Sequence, residues 1–207
     1  MHRIEYLALG ALLLVPGCVK SDPITQPYVD RFERAEIGPD YLNTGGPYRI
    51  VDGKLNVKEA LNKPLWLKKQ IPADADVELD VMSKSVDGDI KVEIWGDGES
   101  FATSQGAYLA TSYVFIMGGW GNKLSVLARM DEHGSDRKVR QDFRVTPGQT
   151  YRLAISRRDG HIDWKVDGKP FLSMVDPAPL SGPRHAYLGF NNWRSDLYFD
   201  NLKITPR

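Results

Sequence analysis

Three tryptophans stand where an exposed indole ring could bind a sugar. Trp193 follows Asn191 and Asn192, and Trp120 lies among glycines in the stretch MGGWGN. Trp95 occupies the polar phase of an alternating run and precedes a Gly-Asp-Gly turn. An indole face stacks on the apolar face of a pyranose, and Asn amides both donate to and accept from hydroxyl groups. These five residues therefore predict a glycan-binding groove. The alternative for each tryptophan is that it fills an edge of the fold as a partly buried side chain.

Carboxylates at alternating positions are a second set of candidate groups. Glu78 and Asp80 alternate in the run VELDVMS, so both side chains would lie on one face of a strand. Glycoside hydrolysis by retention needs two carboxylates about 5 Å apart, and Glu93 in the next run is the further candidate. Charged outward positions on strands are usually only solvated, and this alternative applies to all three.

The most polar segment, residues 128–145, offers a third kind of chemistry because it holds Arg129 and His133 among many other charges. Arg recognises carboxylates in a bidentate manner, so Arg129 with His133 would suit an acidic sugar. A lyase would use Arg129 to neutralise a uronate, His133 as base and Tyr113 as acid. The alternative is a solvated hairpin around Gly134.

The composition argues against several function classes. Twenty-seven basic residues balance 27 acidic ones in 207 residues, so no net field attracts nucleic acid. The four histidines show no metal-ligand spacing. Neither a Gly-x-Ser-x-Gly elbow nor a phosphate-binding loop occurs. We therefore expect no cofactor that takes part in catalysis.

The start of the chain has the features of an export signal. Arg3 precedes an apolar run over residues 6–15, which is too short for a bilayer, where about 20 residues are needed, but suits a signal peptide. The stretch VPGC, ending at Cys18, resembles a bacterial lipobox. Cys18 is the only cysteine, so an internal disulfide is excluded, and lipid attachment accounts for an otherwise free thiol in an exported protein.

We therefore predict a lipoprotein signal peptide at 1–17, a lipidated cysteine with a polar tether at 18–27, and one folded domain at 28–207. Val19 after the cysteine indicates, by resemblance to enterobacterial lipoproteins, an anchor in the outer membrane. An ordinary signal peptide is the alternative.

Alternating apolar residues predict the strands that must position these groups. A period of two runs through 77–81, 90–94 and 162–166, where Trp164 has the core phase. Asp-Gly pairs, which favour tight hairpin turns, occur at Asp52-Gly53, Asp87-Gly88, Asp97-Gly98, Asp159-Gly160 and Asp167-Gly168. Residues 57–62 are the best candidate for a helix. The pattern predicts an all-β fold, a two-sheet antiparallel β-sandwich with minor helix.

The last strand changes parity along its length. Its apolar residues are Leu197 and Phe199 at first, and then Leu202 and Ile204. A regular strand would place the two pairs on opposite faces, so we predict a β-bulge near Asp200-Asn201.

Three segments in order resemble concanavalin A-like lectin/glucanase domains, which are laminin G-like jelly rolls. They are residues 28–57, residues 144–171 and the closing YLGFNNWRSDLYFDNLKI. The resemblance implies a concanavalin A-like jelly roll and a carbohydrate ligand. In resembling domains an acidic residue near each chain end helps to hold structural calcium, and Asp30 and Asp200 match. Glucanases of this fold end their carboxylate pattern in Glu, but Ser83 stands there, so the acid/base is missing.

The function that these features favour is glycan binding at the cell envelope, with binding ahead of processing. One alternative is a polysaccharide-cleaving enzyme, either a glycosidase or a lyase. Another is a non-catalytic protein-interaction or adhesion module, since a fold does not settle function.

Overall fold

The computed structural model describes residues 22–104 and 108–207. Within these residues the chain forms short strands and one four-residue helical turn. The elements are β1 (Tyr28–Asp30), β2 (Tyr41–Asn43), β3 (Arg49–Val51), β4 (Lys54–Lys58), β5 (Leu65–Leu67), β6 (Ala75–Ser83), β7 (Ile90–Gly96), β8 (Tyr113–Gly118), α1 (Gly119–Asn122), β9 (Leu124–Arg129), β10 (Lys138–Arg140), β11 (Thr150–Arg158), β12 (His161–Val166), β13 (Lys169–Val175), β14 (Tyr187–Asn191) and β15 (Asp196–Pro206).

The strands form two antiparallel sheets that pack face to face. Sheet I has the order β13-β12-β11-β6-β15-β4-β3, and β1 pairs with β15. Sheet II has the order β10-β9-β8-β7-β14-β5-β2. The predicted all-β sandwich with minor helix is therefore confirmed.

The alternating residues of each sheet supply the core between the sheets. Val77, Leu79 and Val81 of β6 are buried, and the residues between them are half-buried on the outward face. Burial of each such side chain stabilises the fold by about 1.5–3 kcal/mol. Trp164 is 1% exposed and its ring lies 4.6 Å from that of Phe171, so the core position predicted for this tryptophan is confirmed.

Three of the five Asp-Gly pairs form the predicted two-residue hairpins. Asp52-Gly53 joins β3 to β4, Asp159-Gly160 joins β11 to β12, and Asp167-Gly168 joins β12 to β13, all with positive φ at both residues. Asp87-Gly88 instead lies where the chain crosses from β6 in sheet I to β7 in sheet II, and Asp97-Gly98 begins the connection after β7.

The β-bulge in the last strand is confirmed. The pairing of β15 with β6 shifts register between Asp200 and Lys203, and Asn201 has a φ of 49°. The extra residue restores the parity of the strand, so both Phe199 and Leu202 are buried in the core.

The helix predicted at 57–62 is wrong. Val57 belongs to β4, where it pairs with Leu197 of β15. Glu59, Leu61 and Asn62 have φ values of 61°, 51° and 58°, which a right-handed helix does not admit. Burial of Val57 in the sheet overrides the local helix propensity.

Part of the segment interpreted as a tether packs on the domain. Ile24 is 5% exposed, and its N–H donates to the Gln70 carbonyl at 2.8 Å. The folded unit therefore includes residues that precede Tyr28. The predicted signal peptide and Cys18 lie outside the described residues. Within 22–104 and 108–207, no helix has the length and apolarity needed to cross a membrane.

Candidate functional site

A groove of about 480 Å³ opens on the outward face of sheet II. Lys91 and Ile116 sit at paired positions of β7 and β8 and are each 2% exposed, so they form its floor. Trp120 and Trp193 line it from two different loops. The remaining lining residues are polar or small: Asn62, Asp87, Asp89, Gly121, Glu132, His133, Arg194 and Ser195.

Trp120 is held at the groove by a left-handed turn between β8 and β9. Gly118, Trp120 and Gly121 have φ values of 70°, 52° and 66°. Gly118 is required there, because a Cβ would lie 2.6 Å from the Val145 side chain. Asn122 fastens the turn, since its amide accepts from Val145 N–H and donates to Val145 O, both at 2.8 Å.

The indole of Trp120 projects from this turn and is 36% exposed. The guanidinium of Arg137 lies 5.1 Å from the ring centroid, and the His133 ring meets it edge-on at 5.5 Å. The β9–β10 connection thus folds back over sheet II and braces the tryptophan.

Trp193 is positioned by hydrogen bonds of its loop. Its N–H donates to Asp89 Oδ2 at 3.2 Å, and its carbonyl accepts from Leu61 N–H at 3.0 Å. Asn192 Oδ1 accepts from Ala60 N–H at 2.8 Å, and its Nδ2 donates to the Ser195 carbonyl. Asn192 is therefore a buried brace for the loop and does not line the groove.

Lys91 carries a buried charge below the groove. Its Nζ donates to Asn62 Oδ1 at 2.8 Å and forms an ion pair with Glu132. The side chain of Glu132 is 19% exposed, so solvent screens this pair only in part. The pair ties β7 to the β9–β10 connection.

Glu93 lies beside Lys91 and is fully buried. Its carboxylate accepts from Tyr108 Oη at 2.8 Å, Ser112 Oγ at 2.8 Å and Asn191 Nδ2 at 2.6 Å. Burial raises the pKa of Glu93, although Lys91 and these hydrogen bonds oppose the increase. Both Glu93 and Asn191 are thus internal supports of the groove, and the predicted contact of Asn191 with a ligand is wrong because this side chain is buried.

Asp89 lies two residues before Lys91 in the sequence and lines the groove. Burial raises its pKa to about 6, against the opposing influence of Lys91 and of the Trp193 N–H. Glu132 and Asp87 add to the increase by repulsion. Its own N–H donates to the Gly118 carbonyl at 2.8 Å, which links the two loops.

The outward orientation predicted for Trp95 is wrong. β7 is bulged at this residue, because its partner strand pairs Tyr187 with Gly96 but Leu188 with Ile94. Trp95 has a φ of 61° and is 0% exposed, and its Nε1 donates to the Pro72 carbonyl at 2.9 Å. The bulge turns the indole into the core, so Trp95 does not line the groove.

Arg129 and Tyr113 are held together away from the groove lining. Arg129 Nε lies 2.9 Å from Asp176 Oδ2, to which Tyr113 Oη also donates at 2.6 Å. Burial, followed by this hydrogen bond, raises the pKa of Tyr113 to about 12. His133 does line the groove. The structure therefore does not assemble the predicted set of Arg129, His133 and Tyr113.

The carboxylates predicted as catalytic lie on opposite sides of the molecule. Glu78 and Asp80 point outward from sheet I and accept from Arg152 at 3.0 Å and 3.1 Å. Glu93 points outward from sheet II, so it cannot share a site with them. Ser83, at the position of the missing acid/base, is buried, and its Oγ donates to Gly88 O at 2.8 Å.

The residues suggested for calcium are engaged by basic side chains. Asp30 accepts from Arg34 at 2.6 Å and 2.9 Å, and Lys54 Nζ lies 2.5 Å from Asp200 Oδ2. Burial alone would raise the pKa of Asp30, but the hydrogen bonds from Arg34 and Tyr41 lower it overall. Among the described residues no group of three or more His, Cys, Asp or Glu is arranged to hold a metal. Calcium, with its six to eight oxygen ligands, does not fit these contacts.

Sequence reasoning missed four residues that form or support the groove. Lys91 alternates with apolar residues and carries no sign of a binding role, and Asn62 lies inside the expected helix. Asp89 follows an Asp-Gly pair that indicated only a turn. Glu132 was one of many charges in a polar segment. No local signal shows that these residues converge.

Comparison with solved structures finds similar folds at low identity. Carbohydrate binding module CBM66 from Bacillus subtilis matches with a TM-score of 0.56 and 12% identity, over 82% of this chain and 98% of that chain. A galectin-like protein of unknown function from Bacillus subtilis matches at 0.58 and 14%, over 87% and 96%. The carbohydrate recognition domain of Emp47p matches at 0.60 and 12%, over 87% and 94%.

No protein-family model and no curated protein matches the chain. The solved structures have little sequence in common with it, so they establish the arrangement of the strands and nothing finer. Together with the sheet order, they show that the chain has the concanavalin A-like jelly-roll fold.

Proposed function

We propose that the protein binds glycan in the groove on sheet II, with sugar rings stacked on Trp120 and Trp193. The observation that carries this proposal is the convergence of two indoles from separate loops on one groove whose other lining residues are mostly polar. Stacking on an aromatic face contributes about 0.5–1.5 kcal/mol beyond the buried area. A carbohydrate ligand is supported by two proteins of similar fold, the carbohydrate binding module CBM66 and the carbohydrate recognition domain of Emp47p.

The positions of these residues support glycan binding better than they support the catalytic functions predicted from the sequence. Glu78 and Asp80 are on the far sheet, and Arg129 is paired with Asp176. Asp89 is the one carboxylate in the groove whose raised pKa would suit a general acid, which keeps a glycosidase as the second candidate.

The proposal includes the cell envelope as the place of binding. This part of the proposal rests on the sequence alone, through the predicted export signal and the stretch ending at Cys18 that resembles a lipobox. An outer-membrane anchor would present the domain to polysaccharides of the envelope or its surroundings.

A glycan array followed by calorimetry tests the proposal. Trp120→Ala and Trp193→Ala should each weaken binding of the selected glycan by more than about fivefold, since stacking and buried area are both lost. Tyr198→Ala is the matched control, because Tyr198 faces outward from sheet I beside Lys84. Affinity that is unchanged in both folded Trp variants would contradict the proposal.

The same samples separate binding from cleavage. An assay for new reducing ends or unsaturated uronate is run on every glycan that binds. Turnover that is lost in Asp89→Asn would favour the glycosidase, and binding without turnover would favour the non-catalytic function. A protein with neither activity would point to the adhesion or protein-interaction alternative.

A further inference from the structure

Asp89 is a carboxylate in the groove without a paired cation among the described residues. Lys91 is already paired with Glu132. The guanidinium of Arg194 lies 5.5 Å from the Trp193 ring centroid, so it is stacked rather than paired. Within the described part of the chain, Asp89 has no ion pair within 4.0 Å. A carboxylate in this position gains from a cation supplied by the ligand.

Asp89 is also fixed in place beside a stacking surface. Its Oδ2 accepts from Trp193 N–H at 3.2 Å, and its backbone is tied to Gly118. Its Oδ1 makes no hydrogen bond with the residues that the structure describes. A sugar ring stacked on Trp193 would therefore bring its substituents near a carboxylate oxygen that is available to a donor.

We infer that the groove selects glycans that carry a free amino group, with Asp89 as the residue that determines this specificity. The inference rests on the proposed function. A protonated amine donates charge-assisted hydrogen bonds to a carboxylate, and these are roughly twice as strong as neutral ones. An N-acetyl group offers Asp89 one neutral N–H donor. A uronate brings a further negative charge, which Asp87, Asp89 and Glu132 repel.

Glucosamine oligomers and N-acetylglucosamine oligomers of equal length form the matched ligand pair. Near neutral pH the wild-type protein should bind the free amine about tenfold more tightly than the acetylated oligomer. A glucuronate-containing oligomer should bind more weakly than both. Asp89→Asn keeps a side chain of the same shape but removes the charge, so the preference should disappear. Asp163→Asn, a half-exposed carboxylate on sheet I, is the control and should retain it.

The pH dependence gives a second readout. As the pH falls through about 6, Asp89 takes up a proton while the amine keeps its charge, so the preference should decline. The charged or titratable groups that face Asp89 are Asp87, Lys91, Glu132, His133 and Arg194. Any pH dependence that remains in Asp89→Asn belongs to these other groups.

The outcomes distinguish failure of the amine preference from failure of glycan binding in the groove. Equal binding of the two oligomers by the wild-type protein, or no binding of either, overturns the inference. A preference that persists in Asp89→Asn also overturns it. If both oligomers bind equally and both Trp variants weaken them, the inference fails while the proposed function stands. If the Trp variants change nothing, the proposed function itself fails.

Discussion

Replacement of Lys91 by methionine tests the charge network below the groove. Lys91 is 2% exposed and is paired with Glu132. It also opposes the increase that burial causes in the pKa of Glu93. Methionine retains the apolar stem of lysine, but it removes the cation that pairs with Glu132 and that opposes the raised pKa of Glu93 and of Asp89.

We expect Lys91→Met to lower the free energy of unfolding by about 3 kcal/mol at neutral pH. Removal of one partner from a buried ion pair costs about 3–5 kcal/mol, and the lower end applies because Glu132 is partly in solvent. The hydrogen bond to Asn62 is lost as well. Glu93 limits the damage, because it can take up a proton when Lys91 is absent.

The sign of the pH effect follows from Glu93. Its folded pKa is raised, so between the unfolded and folded values the native state holds more protons, and stability falls as the pH rises through that window. Loss of Lys91 raises the folded pKa further. The deficit of Lys91→Met should therefore be largest at neutral pH and shrink towards the ordinary Glu value of about 4.3.

Denaturant unfolding followed by tryptophan fluorescence, at neutral and at acidic pH, measures both effects. Lys203→Met is the control, because Lys203 is 45% exposed and lies 3.9 Å from Glu78, a pair worth about 0–1 kcal/mol. A double-mutant cycle of Lys91→Met with Glu93→Gln isolates the coupling between the two residues. The reasoning is refuted if Lys91→Met is no less stable than Lys203→Met at both pH values.

Four further predictions concern other parts of the chain. Trp164→Ala should destabilise the protein by about 3–5 kcal/mol as a large-to-small core change, and an unaltered denaturant midpoint would contradict its core position. Gly118→Ala should cost about 1–3 kcal/mol, because the residue has a φ of 70° and little space for a Cβ; unfolding curves check this. Glu78→Gln should leave glycan affinity unchanged in calorimetry, since Glu78 bonds to Arg152 on sheet I. Cys18→Ala should abolish incorporation of labelled palmitate, and labelling that survives would remove the proposed lipid anchor.

The sheets could be predicted because their signals are local. The alternation at 77–81 and the parity change around Asp200 each involve a few consecutive residues, and burial of one face enforces both. The same rule failed at Trp95, because a single-residue bulge in β7 reverses the phase without changing the apolar pattern before it.

The candidate site could be predicted only where one segment carried the signal. Trp120 and Trp193 stand out among glycines and asparagines within their own loops. Lys91 has the appearance of a solvated strand residue, and it becomes buried because Glu132, from a distant connection, folds over it. Such long-range contacts leave no periodicity in the sequence.

The outward face of sheet II has a closed half and an open half. Trp66 of β5 points away from the core yet is 0% exposed, and its Nε1 donates to Ser100 O at 3.0 Å in the connection after β7. It packs over Gly189, where a Cβ would lie 2.8 Å from the indole. Tyr108 from the same connection covers Glu93. Because side chains of the protein fill this half, the part of the face that stays open among the described residues is the groove lined by Trp120 and Trp193.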